Sequence, residues 1–287
     1  MGGQLGWLGD SALIFLQFWC ECMLCGYDAV ILECTSGFDL DGLQSIGASR
    51  DYHVVCLHIC PRDLGFPNSR KRKYMLFTRV GRLRWKQSVQ AIGHEKVFGH
   101  IFHRAPRMFG DQLMRAPRNE VEAYMNHLRS QRGLPAVRKS GKAWTCFQIL
   151  SPARRARVLQ HEASVNRQRG SKTSRSLCNI LQSPRFMPAT DHSPAMLQKT
   201  TLWSMRHQRV TTPMEQLEIM GYQVWGCRPS TSPWVDALAS LTYAQQQSVG
   251  GNGMHAAAIG SAIMFLLGCT EPVQPRPGCA FGSGSAA

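Results

Sequence analysis

Apolar side chains recur at helical spacing over residues 11–25, at Leu13, Leu16, Phe18, Cys20, Met23 and Leu24. That period predicts a helix with Asp10 as N-cap and Gly26 as stop. The stretch "DAVIL" then runs apolar without a break and is rich in β-branched residues. This pattern fits a strand buried on both faces, as in a parallel sheet, ending at Glu33. Residues 39–48, "DLDGLQSIGA", read as a short amphipathic helix, "DYHVVCLHI" as a strand, 61–73 as a loop and "YMLFTRV" as another strand. A helix feeding a buried strand points to the α/β class.

The pattern fades from about residue 81 to 185, where Arg, Ser, Gln and Pro rise. Helices are expected there only at 119–128 and 152–159, the second ("SPARRARVLQHE") carrying several cations on one segment. "RGLPAVRKSGK" and "RQRGSKTSRS" read as exposed loops. Order returns near Leu202. "TTPMEQLEIMGY" has a Thr cap, Pro in the first turn, Leu217 and Met220 at helical spacing and Gly221 as stop. "QSVGGNG" is expected to be a Gly-rich turn opening an Ala-rich helix. The run 255–269 is shorter than the roughly 20 residues a bilayer requires and reads as a buried helix. The tail from Thr270 is Pro/Gly/Ser-rich and expected to be disordered.

Glu33 draws attention by position. Ligands of open α/β sheets sit beyond the carboxyl ends of strands, and a carboxylate there is costly to bury without a partner. It is either a functional acid or an N-cap or solvated loop acid.

Charge sharpens this picture. The chain of 287 residues carries 33 Lys plus Arg against 18 Asp plus Glu, a formal net charge of +15. Arg50 is the only cation up to Asp51, and most of the others lie between Arg62 and Arg175. A basic middle segment favours a polyanionic partner. The 11 Cys follow no disulfide framework, and no signal peptide is evident, so reduced thiols in a nuclear or cytoplasmic setting are expected. Neither Cys20, Cys22 and Cys25 nor His94, His100 and His103 have the paired spacing of a zinc site, and no metal is expected.

Four separated segments, in order, resemble the DNA (cytosine-5) methyltransferases. "VILECTSGFDLDGL" looks like the family's strand ending in Glu-Asn-Val, with Glu33 at the Glu. "DYHVVCLHICPRDLGFPNSRKRKYML" is similar to its Gly-Tyr strand and Pro-Gln-x-Arg-x-Arg loop, with Pro67 at the Pro, Asn68 at the Gln, and Arg70 and Arg72 at the arginines. "RVTTPMEQLEIMGY" matches its Arg-x-Leu-Thr-x-x-Glu segment through Arg209, Thr212, Glu215, Gly221 and Tyr222. "VGGNGMHAAAIG" matches its Gly-Asn turn at Asn252. The sequence departs from the pattern at Cys34-Thr35 and Asn68, and the family's N-terminal third, with its cofactor turn and Pro-Cys nucleophile loop, is missing.

The resemblance implies a Rossmann-like methyltransferase sheet, incomplete at its N-terminal side, with an inserted irregular basic lobe. The implied division is 1–80 and 201–269 for the catalytic part, 81–200 for a target-recognition-like lobe and 270–287 for a disordered tail. It implies S-adenosylmethionine-dependent methylation of cytosine C5 in DNA, with tRNA as a variant, by a partial chain inactive alone. Glu33, Arg70 and Arg72 become the catalytic candidates: Glu33 at the base N3, Arg70 at the base O2, Arg72 orienting Glu33 or the loop. Asn252 and Gly253 become the cofactor-side candidates. Arg209 and Glu215 read as structural. The residues alone leave Arg70 and Arg72 open as surface cations and Asn252 as a helix cap. A nucleic-acid-binding relic without chemistry is the competing reading. No membrane partner is expected, and oligomeric state is not legible.

Overall fold

The structure, a computed structural model, describes residues 10–35, 37–38, 42, 48–135, 146–169, 176–197, 200–225 and 233–274. In chain order its main elements are α1 (Asp10–Cys25), β1 (Ala29–Thr35), β2 (Tyr52–Ile59), β3 (Arg72–Arg79), β4 (Leu83–Trp85), α2 (Gln87–Ile92), α3 (His94–Phe102), α4 (Arg118–Ser130), α5 (Pro152–Arg169), β5 (Leu177–Asn179), β6 (Leu202–Ser204), β7 (Arg209–Val210), α6 (Pro213–Ile219), α7 (Pro233–Ala239), α8 (Tyr243–Asn252), α9 (Ala256–Cys269) and β8 (Thr270–Pro272). The mixture of helices and small sheets is of the expected α/β kind. The helix expected at 39–48 lies almost wholly outside the described residues, as do most of the two Arg-rich loops and the tail beyond 274.

Two compact units form, and neither follows the chain continuously. The first takes the chain up to Ile59, Arg72–Ile101 and everything from Gly260. The second takes Cys60–Lys71 and Phe102–Ile259.

In the first unit, β3 lies between β1 and β2 and is antiparallel to both. Tyr74 to Thr78 of β3 are all buried, and as the central strand it has both of its hydrogen-bonding edges paired. The parallel-sheet expectation for "DAVIL" is corrected: β1 pairs antiparallel, and only Val30 in it is fully buried. A continuous apolar run reports burial and carries no information about the neighbour's direction. β1 also continues two residues past Glu33. Helix α1 packs on this sheet through Trp19, whose ring centroid lies 4.9 Å from Phe77 and 5.8 Å from Tyr52. The Tyr52 hydroxyl donates to the Tyr27 carbonyl at 2.8 Å, tying the chain just past the helix to β2. Gly26 closes α1 with φ +63, as its lack of Cβ allows.

The basic stretch after β3 is more ordered than its composition implies. It holds α2 and α3, which the fading periodicity did not reveal. Phe98 of α3 and Trp85 of β4 pack on Phe265 of α9, at centroid separations of 5.4 and 5.6 Å. The chain from Thr270 begins as strand β8, paired antiparallel with β4 and supported by Arg84 Nε on Glu271 Oε1 at 2.9 Å. Helix α9 is buried along one face only: Ala262 and Phe265 are inside, while Met264 and Leu267 are exposed. By length and composition the run Tyr243–Cys269 is apolar enough to cross a membrane, but Gly253–His255 separates α8 from α9.

In the second unit, β5, β6 and β7 form an antiparallel sheet in chain order. Its core gathers Met125 of α4, Val158 of α5, Cys178 of β5 and the fully buried Trp203 of β6. Helix α6 starts with a reciprocal capping box. The Glu215 N–H donates to Thr212 Oγ1 at 3.2 Å, and the Thr212 N–H donates to Glu215 Oε2 at 2.9 Å. Pro213 occupies the first turn, and Gly221 ends the segment with φ +82.

Candidate functional site

In the first unit, the β1–β3 register sets Glu33 opposite Tyr74 and Thr35 opposite Arg72. Side chains two residues apart on a strand share a face, so Glu33, Thr35, Arg72 and Tyr74 lie on one side of the sheet. Arg72 Nε sits 3.6 Å from Glu33 Oε1, with the Glu33 side chain 10% exposed and that of Arg72 17% exposed. A largely dehydrated carboxylate thus has a guanidinium beside it. Cys34 and Lys73 occupy the opposite face, where Lys73 Nζ donates to the Phe38 carbonyl at 3.0 Å. Burial, with the Glu33 charge behind it, pushes the Cys34 thiol up to about 12. Cys34 is therefore a thiol at neutral pH and a poor nucleophile.

The second unit holds the loop 60–71. Its basic run is not a solvated turn. Pro67, Asn68 and Arg70 are buried, and Lys71 is exposed. The Ser193 N–H donates to the Pro67 carbonyl at 2.7 Å and the Ser69 N–H to the Ser193 carbonyl at 2.9 Å. Asn68 Nδ2 donates to the Ile219 carbonyl at 3.1 Å. Arg70 is 6% exposed. Its Nη1 donates to the Met196 carbonyl at 2.5 Å and its Nη2 to the Gly253 carbonyl at 3.3 Å. One planar guanidinium therefore joins three segments distant in sequence.

The cofactor-side candidates occupy unequal settings. Asn252 is the last residue of α8 and exposed, with Nδ2 donating to Ser248 Oγ at 3.3 Å. The expected Gly-rich turn is corrected: Gly250 and Gly251 are helical and buried within α8. Gly253 lies just beyond. Its N–H donates to the Val249 carbonyl at 2.8 Å, and its own carbonyl accepts from Arg70. A Cβ on Gly253 would lie 2.8 Å from the Val249 carbonyl oxygen, so the close approach requires glycine. The Asn252 carboxamide is exposed; the Gly253 N–H is already engaged.

His255 completes this cluster, and sequence reasoning missed it. It is fully buried, with its ring edge-on to Phe66 at 5.1 Å. Burial, and after it the Arg70 charge, holds its imidazole down to about 4, and neither ring nitrogen has a hydrogen-bond partner among the described residues. The available signal was a lone His between a Gly-Asn-Gly segment and an apolar helix, which does not separate a core histidine from a site residue. Nearby, Arg209 grips Glu215 through Nη1 on Oε2 at 2.7 Å and Nη2 on Oε1 at 2.6 Å. Glu215 also accepts from the Ala116 N–H at 3.1 Å, and this network fixes the start of α6. Among the described residues no group of three or more His, Cys, Asp or Glu is arranged to hold a metal.

No protein-family model matches the chain, and no curated protein matches it. Among solved structures it is similar to the Entamoeba histolytica methyltransferase EhMeth, at 16% identity and TM-score 0.40, covering 84% of this chain and 62% of that one. It is also similar to the S. pombe Dnmt2 methyltransferase, at 13% identity and TM-score 0.46, covering 93% and 74%. A Spodoptera frugiperda DNMT2 mutant matches at 15% identity and TM-score 0.38, covering 84% and 66%. The chain thus spans less than two thirds of the first and third of these proteins, and it resembles all three.

Proposed function

We propose that the chain is the C-terminal portion of a nucleic-acid cytosine-5 methyltransferase, acting on DNA, with tRNA as the alternative substrate. The observation that carries this reading is the Glu33–Arg72 pair at 3.6 Å on one face of the sheet. Chemistry at cytosine C5 requires a base lifted out of the duplex and relief of negative charge on the ring. A carboxyl held by a guanidinium can do this by sharing a proton at the base N3. Glu33 fills that role and Arg72 positions it. S-adenosylmethionine supplies the methyl group when bound, and the exposed Asn252 carboxamide is the residue placed to meet it. The Gly253 N–H is engaged by the Val249 carbonyl and is no free donor for the cofactor.

A second reading is favoured by one observation. Arg70 is committed to two main-chain carbonyls, as in a chain that keeps its architecture and binds nucleic acid without chemistry. Labelled methyl transfer from S-adenosylmethionine to duplex DNA and to tRNA, by this chain and by the complete gene product, tests the two. The proposal expects transfer by the complete product and none by the chain alone. Salt-dependent DNA binding with no S-adenosylmethionine binding and no transfer in any combination would select the relic reading.

A further inference from the structure

Where α4 ends and α5 begins, the second unit has a cavity of about 260 Å³. Arg132 and Arg154 line it with Gln131, Gln247, Tyr124 and Leu128, and no carboxylate appears among its lining residues. Gln247 Nε2 donates to the Tyr124 hydroxyl at 3.3 Å. Arg155 adds a third guanidinium close by. Partial desolvation, and after it the charges of Arg154 and Arg155, press Arg132 below its usual range. Among the described residues none of these three arginines forms an ion pair, unlike Arg118, Arg206 and Arg209, which each meet a carboxylate. The first turn of α5 carries no acidic residue. Cations there oppose the helix dipole, whose N-terminal end favours anions. Three like charges gathered beside amide and hydroxyl groups are unfavourable unless an anion neutralises them.

We propose that this cavity is a phosphate-binding site, with Arg132 and Arg154 as its principal ligands and Tyr124, Gln131 and Gln247 as hydrogen-bonding groups. Planar guanidiniums suit tetrahedral oxyanions through paired N–H donors. The site binds phosphate whether or not the chain transfers a methyl group, so its test is independent of that activity. The phosphate belongs either to a nucleic-acid strand or to a free nucleotide, and the two sources are separable by competition.

The test titrates the full chain with inorganic pyrophosphate, against sodium chloride at matched ionic strength, following thermal unfolding and calorimetric binding. The expected result is a saturable stabilisation by pyrophosphate beyond chloride. Arg154→Gln and Arg132→Gln weaken it at least fivefold, and Arg157→Gln, on the same helix, leaves it unchanged. Without anion, Arg154→Gln raises Tm by about 1–2 °C, because one of three repelling charges is gone. A merely structural Arg154 would lower it. Displacement of pyrophosphate by an abasic oligodeoxynucleotide identifies a strand phosphate; displacement only by a nucleoside monophosphate identifies a free nucleotide. Stabilisation no greater than that by chloride, or equal binding in all variants, overturns the site.

Discussion

Arg72 and Glu33 meet diagonally across the β1–β3 ladder, at 3.6 Å, on the face opposite Cys34 and Lys73. The pair is more dehydrated than an ordinary surface ion pair, for which the coupling rarely exceeds about 1 kcal/mol. A double-mutant cycle of Glu33→Gln and Arg72→Gln, read by urea unfolding, is expected to give a coupling of about 1–2 kcal/mol. Additivity of the two substitutions would show that Arg72 does not position Glu33.

The start of α6 concentrates charge-assisted bonds on one buried carboxylate. Glu215→Ala strips Arg209 and the Thr212 and Ala116 N–H groups of their partner at once, and should cost about 3–5 kcal/mol. Thr212→Ala removes only the cap acceptor and should cost about 1 kcal/mol. Chemical denaturation of both variants checks the ranking, which a reversed order would overturn.

His255 makes stability depend on pH in the acid range. Its folded pKa, about 4, is below its ordinary value of 6.5. The unfolded chain therefore takes the proton first as pH falls. The stability is fully present above about pH 6.5 and lost toward about pH 4, a loss of about 3 kcal/mol. Thermal unfolding from pH 7.5 to 4.5 should show a shallower decline for His255→Gln than for the unaltered chain.

Glu120 acts in the opposite sense. Burial, with Glu215 beside it and Arg209 opposing, raises its carboxyl to about 7. The folded state keeps the proton longer, so its contribution is present below about pH 4.5 and lost as pH rises through about 7. After discounting for solvent screening, Glu120→Gln should gain about 1 kcal/mol at pH 8, or about 2–4 °C in Tm. That advantage should vanish below about pH 4.5. A gain independent of pH would assign it to packing instead.

Much of the fold was legible where local chemistry fixes the outcome. Gly26 and Gly221 stop their segments in left-handed conformations. Thr212 caps α6, and the β-branched run from Tyr52 is a strand. What the sequence hid depends on distant partners. The direction of β3 relative to β1 leaves no trace in either strand. Gly250 and Gly251 resemble a turn, yet they are helical, and Gly250 packs against Leu217 of α6. The site was legible in the same measure. The family resemblance implied that Arg72 orients Glu33 or the loop, and the register brings Arg72 and Glu33 together. Nothing local revealed that the Arg70 guanidinium turns inward onto the Met196 and Gly253 carbonyls, or that His255 is buried beside it.

The central claim is that Glu33 serves a cytosine base. Its most direct test is the amount of 5-methylcytosine formed in duplex DNA per hour by the complete gene product and by its Glu33→Gln variant, quantified by mass spectrometry. The account predicts methylation at C5 by the unaltered protein and a fall of at least about 100-fold in the variant, the scale expected for loss of a general acid or of a charge-stabilising group. Equal rates in the two proteins, or no 5-methylcytosine in either DNA or tRNA, would contradict it.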